Sequence, residues 1–366
     1  MLTQLPSPLI DNIFDSLTFE DICSIACVCS AFRQPAQLRL FRTIRIRTES
    51  LGGAPNHTES ILSSPHLLQY PAALDVQCLG FPGTVISIDS LWSHIPKMYR
   101  LSYVELFLDS VDCARALSAL ESCGSAREVS LKLARALTPD MVISDIALPV
   151  HTLDVIVFTQ SHQIATQLIQ KCSQSLRRLS LSLENNLTTT FPFLPRLSEL
   201  SLRADVFFTA NDCDLVAWFP FLDQHPTITR LLLGTKFTLA EQPSPDLLPN
   251  LQFLKATPAV IGRLIPGRPV NDIHVMYPPE IAHGSHFPVD AILQSLPQPS
   301  VPITTLEINT DSRFPDGALI NIVQALPKLR QFTLGLPPYE VRQLFKGRKG
   351  LQIDWKNRVQ LPLSIY

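Results

Sequence analysis

The chain has 366 residues, a formal net charge of -2, 46% hydrophobic residues and 17% charged ones. That balance excludes a disordered tail protein and offers no basic field for nucleic acid and no acidic field to select a partner, while leaving ample material for a core. Glycine is scarce at 13 and proline plentiful at 31, a pairing that argues against Gly-rich phosphate cradles and for rigid turns. No apolar run approaches the roughly 18 residues of a membrane helix, and prolines and acids arrive too early for a secretory leader. A soluble chain of the cytoplasm and/or nucleus is expected, with its eight cysteines reduced and buried as small hydrophobes.

Residues 5–44 read as three short helices in succession. Ser7 followed by Pro8 suits an N-cap and a first helical position, where proline's missing N–H costs nothing. Leu9, Ile10, Ile13, Phe14 and Leu17 form one apolar stripe, with Asp11, Asn12, Asp15 and Ser16 opposite. Thr18 with Asp21 resembles a capping box and opens a second helix through Ile22, Ile25, Ala26 and Val28. A third begins near Ala31, is interrupted or restarted at Pro35, and carries Leu38, Leu40 and Phe41. Ordering about 40 residues costs on the order of 40 to 80 kcal/mol of backbone entropy. One large apolar side chain returns about 1.5 to 3 kcal/mol, so another surface must complete this segment.

Leu5 and Pro6, then Leu9 and Ile10, Ile13 and Phe14, Leu17, Asp21 and Ile22, Val28 and Cys29, and Phe32 and Arg33 together resemble an F-box. Pro8 stands where that family usually has Glu, and Phe32 where Trp is commonest. The resemblance implies docking onto the Skp adaptor of a cullin-RING ubiquitin ligase. The residues it puts forward for that contact are Leu5, Pro6, Leu9, Ile10, Ile13, Phe14, Leu17, Ile22, Val28 and Phe32.

Residues 45–70 read as a connector, with a polar loop at 51–60 and a short helix ending near Ser64 and Pro65. From about residue 71 the chain repeats one short strand and one helical or irregular return. The strands match L-x-x-L-x-L, which sends alternate apolar side chains to one face. The clearest start at Leu101, Val150, Leu176, Leu197, Ile228, Val270, Ile303 and Leu329, with weaker copies at Pro71, Ala126, Leu251 and Arg348. Proline precedes the first position by one or two places in seven of these twelve copies. Helical returns are expected at Leu215, Trp218, Phe219 and Leu222, at Val289, Ile292, Leu293 and Leu296, and at Leu319, Ile322, Val323 and Leu326.

The expected fold is α/β: an F-box at 1–44, a connector at 45–70, and at 71–366 an irregular leucine-rich-repeat-like solenoid, a curved parallel sheet with helical returns and a C-terminal cap. Its irregular repeats look like those of the large fungal F-box families, with Asp109, Asp205 and Asp311 where leucine-rich repeats commonly carry Asn. No catalytic, P-loop or metal signature accompanies it; His283 and His286 stand three apart without a third ligand, and Lys346, Arg348, Lys349, Lys356 and Arg358 read as a solvated cap face. The resemblance implies a non-catalytic substrate receptor without a cofactor. Its partners would be the Skp adaptor, through it a cullin, and a target protein on the solenoid; nucleic acid and membrane are not expected partners. The alternative is a binding scaffold acting outside ubiquitin transfer.

Overall fold

A computed structural model describes residues 7–28, 30–47, 64–77, 89–108, 110–133, 147–157, 161–183, 191–204, 212–276, 293, 296, 300–309, 318–335, 352–353 and 358–362. The chain divides into two compact units, 1–154 with 163–175, and 155–162 with 176–366.

The first unit opens with three helices, α1 (Ser7–Asp15), α2 (Phe19–Val28) and α3 (Ser30–Leu40). The expected break at Pro35 is absent, because α3 runs through it. Proline removes one main-chain donor in the middle of the helix, and the burial of the neighbouring Ala36 holds that turn in place. Strand β1 (Thr43–Arg47) follows after two residues. It corrects the expected connector at 45–70, since Ile44 and Ile46 are buried and the strand pairs parallel with β2 (Ala73–Gln77). Only two apolar residues mark β1, so arginines at alternate positions made it look like a loop. At 65–67 the chain forms a single 3₁₀ turn, while the loop at 51–60 and the helix expected before Ser64 lie outside the described residues.

Strands β3 (Tyr103–Leu108), β4 (Glu128–Leu133) and β5 (Val150–Val157) continue the parallel series. Helices α4 (Asp89–His94), α5 (Ser110–Glu121) and α6 (His162–Cys172) lie on the returns. Core side chains stack in register, Leu74 on Val104 on Val129 and Val76 on Leu106 on Leu131. Rows of this kind are the signature of parallel strands buried on one face. Cys113, Cys123 and Cys172 are buried as expected, but Cys27 is exposed because it sits on the outer side of α2. Burial, reinforced by the Cys113 thiol, pushes the Cys172 thiol well above its ordinary range; Cys29 and Cys78 lie outside the described residues.

In the second unit, β6 (Arg178–Leu183), β7 (Glu199–Arg203), β8 (Arg230–Leu233), β9 (Phe253–Ala256), β10 (Asp272–Met276), β11 (Thr305–Asn309) and β12 (Gln331–Gly335) pair in parallel. The end is antiparallel: β14 (Arg358–Pro362) pairs with β12 and with the short β13 (Gln352–Ile353). Returns carry α7 (Phe219–Asp223), α8 (Pro258–Leu264) and α9 (Ala318–Ala325). Thus the expected helices at 215–222 and 319–326 are present, the former as a 3₁₀ turn running into α7. The helix at 289–296 lies mostly outside the described residues, as do Asp109, Asp205, Asp311, His283, His286 and the cap-face lysines. Eleven of the twelve expected strands are strands, those within each unit pairing in parallel; of the twelfth, at Arg348, only Gln352–Ile353 is among the described residues.

The prolines have a definite task. Leu197 N–H donates to Leu194 O, Ile228 to His225, Leu251 to Leu248 and Leu329 to Leu326, which places Pro195, Pro226, Pro249 and Pro327 second in each turn. That position needs φ near -60°, which proline fixes in advance. The residue after each of the first three turns then supplies one carbonyl to two successive N–H groups of the next repeat, as Arg177 does one repeat earlier. Arg177 O accepts from Ser198 and Glu199, Ser198 O from Thr229 and Arg230, Thr229 O from Gln252 and Phe253, and Gln252 O from Asn271 and Asp272. In the first unit, Arg42 O and Ala72 O do the same for residues 72–73 and 102–103. Main-chain carbonyls thus perform the inter-repeat bonding.

An aromatic cluster of Phe191, Trp218, Phe221 and His225 closes the core of the second unit. His225 is fully buried; its Nε2 accepts from Leu194 N–H at 2.8 Å and its Nδ1 donates to Phe221 O at 2.6 Å. One ring nitrogen accepts and the other donates, so the imidazole is neutral. Burial holds its pKa below 6.5, against the opposing effect of the Phe221 carbonyl. The unfolded chain therefore takes up this proton first on acidification. The stabilisation is fully present above 6.5 and is lost as pH falls through the window between that value and the depressed folded one. In an NMR titration His225 is expected to stay neutral where exposed histidines have protonated, while the melting temperature declines; titration at the ordinary value would refute this account.

Candidate functional site

The three N-terminal helices have a small core of their own, Phe14, Ile22 and Ala36, against which Ile10, Leu17, Ile25, Ala26, Phe32 and Leu40 pack. Each end is fixed locally. Ser16 Oγ donates to Ile13 O where α1 stops. Thr18 N–H and Oγ1–H both donate to Asp21 Oδ2, and Asp21 N–H donates back to Thr18 Oγ1. This reciprocal box satisfies two main-chain donors, a device whose loss costs about 1 kcal/mol. Arg39 on α3 forms an ion pair with Asp15 on α1.

The ten residues put forward by sequence are sorted by this packing. Phe14 and Ile22 are buried, so they shape the helices from within instead of offering a surface. Ile10, Leu17 and Phe32 are half-buried against that core. Leu9 is 49% exposed, Ile13 41% and Val28 84%. Leu9 and Ile13 stand four apart on α1 and share one face. Leu5 and Pro6 lie outside the described residues. Sequence reasoning passed over Phe19, 66% exposed; it follows the Thr18 cap directly, off the apolar stripe, and a large aromatic at a first helical position was its available signal.

The helices are joined firmly to the sheet of their own unit. Tyr70 Oη donates to Gln37 Oε1 at 3.2 Å, its ring stacks on Phe41, and Arg42 O accepts from Ala72 and Ala73 N–H. Exposed apolar side chains on a rigidly mounted helical module are the physical form of a docking surface. A comparison with protein families matches residues 2–47 to the F-box-like family. The segment is an F-box-like domain. Comparison with curated proteins gives no match for the chain. F-box domains generally bind the Skp adaptor within SCF complexes, and the F-box-like domain here suggests a role as an adaptor-binding subunit.

A second surface lies on the polar sheet face of the second unit. Register brings Arg178, Glu199, Arg230 and Phe253 into one row across β6 to β9. Glu199 Oε2 lies 3.2 Å from Arg230 Nε and 3.8 Å from Arg178 Nε. The Arg230 guanidinium carbon stands 3.8 Å above the centre of the Phe253 ring, a cation–π contact. In the first unit, Lys132 donates to Glu105 and holds that carboxyl below its usual range; burial, with Glu105, pushes the Tyr103 hydroxyl up. Among the described residues no group of three or more His, Cys, Asp or Glu could hold a metal ion, and no helix is long and apolar enough to cross a membrane.

Proposed function

We propose that this chain is the substrate-recognition subunit of an SCF-type cullin-RING ubiquitin ligase. The observation that carries the reading is an F-box-like match at residues 2–47 coinciding with a helical module that leaves Leu9, Ile13 and Val28 exposed. In this reading α1 and its neighbours dock the Skp adaptor and, through it, a cullin. The repeated turn-and-strand units, which we take as leucine-rich-repeat-like, hold a target protein on their polar sheet face. The receptor performs no chemistry. It raises the target's effective concentration beside the ubiquitin-charged enzyme, work suited to the cytoplasm or nucleus.

The junction at Phe41 and Arg42 supports this reading, because it joins the helical module to the sheet of its own unit. The test is reconstitution of the purified full chain with the Skp adaptor and a cullin. Co-elution of all three as one complex is the expected result. A well-folded chain that elutes apart from the adaptor overturns it, whereas one that holds the adaptor but recruits no cullin supports a scaffold acting outside ubiquitin transfer.

A further inference from the structure

On the polar face of β6, β7, β8 and β9 the side chains are Arg178, Ser180 and Ser182, then Glu199, Ser201 and Arg203, then Arg230 and Leu232, then Phe253 and Lys255. Four of these ten are cationic and one is anionic. Height matters as much as number. Glu199 is 26% exposed, whereas Arg178 is 62% and Arg230 45% exposed. The carboxylate lies beneath, facing the Nε of each arginine, and the guanidinium groups form the outer layer. Ser201 and Ser182 are buried beside them, so between β6 and β7 the face is a shallow floor of serines edged by arginines, and the Phe253 ring continues it under Arg230.

This arrangement holds the arginines for use. A single carboxylate shared by two guanidinium groups leaves their charge uncompensated by one. Arg230 is further held by the Phe253 ring, so less side-chain entropy is lost when it binds. Surface pairs of this kind add little to stability, which removes the structural motive for two arginines over one acid. The first unit repeats the layering on its own polar face, where Arg45 stands more exposed than Asp75 and Lys132 more exposed than Glu105.

We propose that this face of the second unit binds an acidic, Glu- or Asp-rich segment of a partner protein, with Arg178 and Arg230 as its charge-reading pair and Arg203 and Lys255 extending the site. Charge complementarity selects that occupant, since the outer layer is cationic and its floor polar. Arg178 and Arg230 sit two strands apart, about 9.5 Å, which matches carboxylates three residues apart on a peptide in the polyproline II conformation, about 9.3 Å apart on one face. The proposal rests on the reading that the sheet unit receives the target protein, and it supplies that target's chemistry.

The test uses the full chain loaded on the Skp adaptor. Fluorescence anisotropy is measured with a labelled glutamate-rich peptide, its glutamine counterpart and a phosphoserine counterpart lacking glutamate. The glutamate peptide is expected to bind, to weaken as salt is raised, and to lose about tenfold or more in affinity in the Arg178→Gln, Arg230→Gln double variant. The Arg178→Lys, Arg230→Lys variant keeps the charge but not the stacked guanidinium, and is expected to retain part of that affinity. Equal binding of the glutamine peptide, binding of the phosphoserine peptide alone, or unchanged affinity in a folded double glutamine variant overturns the proposal. Adaptor loading reports separately on the receptor reading: a chain that loads but ignores the acidic peptide loses only this inference.

Discussion

Replacing Leu9 and Ile13 together by alanine is expected to abolish Skp-adaptor binding while leaving the chain folded. Both side chains are about half exposed in the isolated chain, so truncation opens no cavity and removes little of the core of Phe14, Ile22 and Ala36. At an interface the balance reverses. Apolar anchors that become fully desolvated against a partner are worth about 2 kcal/mol or more each, so the pair should cost on the order of 1,000-fold in affinity. Phe14→Ala is the contrasting variant. Phe14 is buried in the module itself, and its truncation should cost about 3 to 5 kcal/mol of stability, lowering the melting temperature and weakening binding only as a consequence. Binding isotherms beside circular dichroism melts separate the two effects. A folded Leu9→Ala, Ile13→Ala chain that binds like wild type would move the docking face away from α1.

The two variants differ for a reason the sequence only half discloses. A stripe of Leu9, Ile10, Ile13, Phe14 and Leu17 announces a helix with one apolar side, yet α1 is too apolar for its neighbours to cover. Which members turn inward depends on how α2 and α3 cross it, and no spacing within α1 carries that information. The strands were far more legible, because one apolar side chain at every second position, with proline at the preceding turn, leaves few alternatives. Strand β1 was hidden by its brevity: Ile44 and Ile46 alone supply its pattern. The row from Arg178 to Phe253 is the extreme case. Its members belong to four strands, and only the register that sets Glu199 between Arg178 and Arg230 makes them neighbours. Nothing in one dimension sets Arg178, Glu199 and Arg230 apart from other charged residues, and the carboxylate that the two arginines share is visible only in three.

Arg268 was equally silent in the sequence, and its removal is expected to be the most damaging single change in the second unit. The side chain is fully buried. Burial draws its pKa below the usual guanidinium range, and its three nitrogens all meet main-chain carbonyls: Nε to Leu247 O at 2.6 Å, one terminal nitrogen to Leu264 O and Pro266 O, the other to Ser244 O. The stretch between Leu239 and Phe253 contains neither helix nor strand, so its carbonyls need donors from elsewhere, and Arg268 supplies them at Ser244 and Leu247. The same anchor fixes the backbone before Leu248, a non-glycine residue at φ 56°, a conformation that costs roughly 1 to 2 kcal/mol. Gly267, at φ 78°, lets the chain turn just before the arginine, where a Cβ would come within 3.3 Å of Pro245.

Arg268→Met keeps the aliphatic stem and removes every donor. Burying an unpartnered charge is no longer required, but the acceptors are main-chain carbonyls and cannot be removed along with it, so the change resembles breaking a buried pair and should cost about 3 to 5 kcal/mol. Against a total stability of about 5 to 15 kcal/mol that is a large share, and thermal melts should fall by about 6 to 15 °C. Arg268→Lys supplies three donors from a single point in place of a planar fork, so it should recover part of the loss. Limited proteolysis locates the damage: cleavage should appear first between Leu239 and Phe253, because those carbonyls have lost their anchor. If Arg268→Met melts with the wild type, water is satisfying those carbonyls and the arginine is dispensable to the loop. If it melts early but is cut elsewhere, the cost lies in the void beside α8 and not in the loop's unpaired carbonyls.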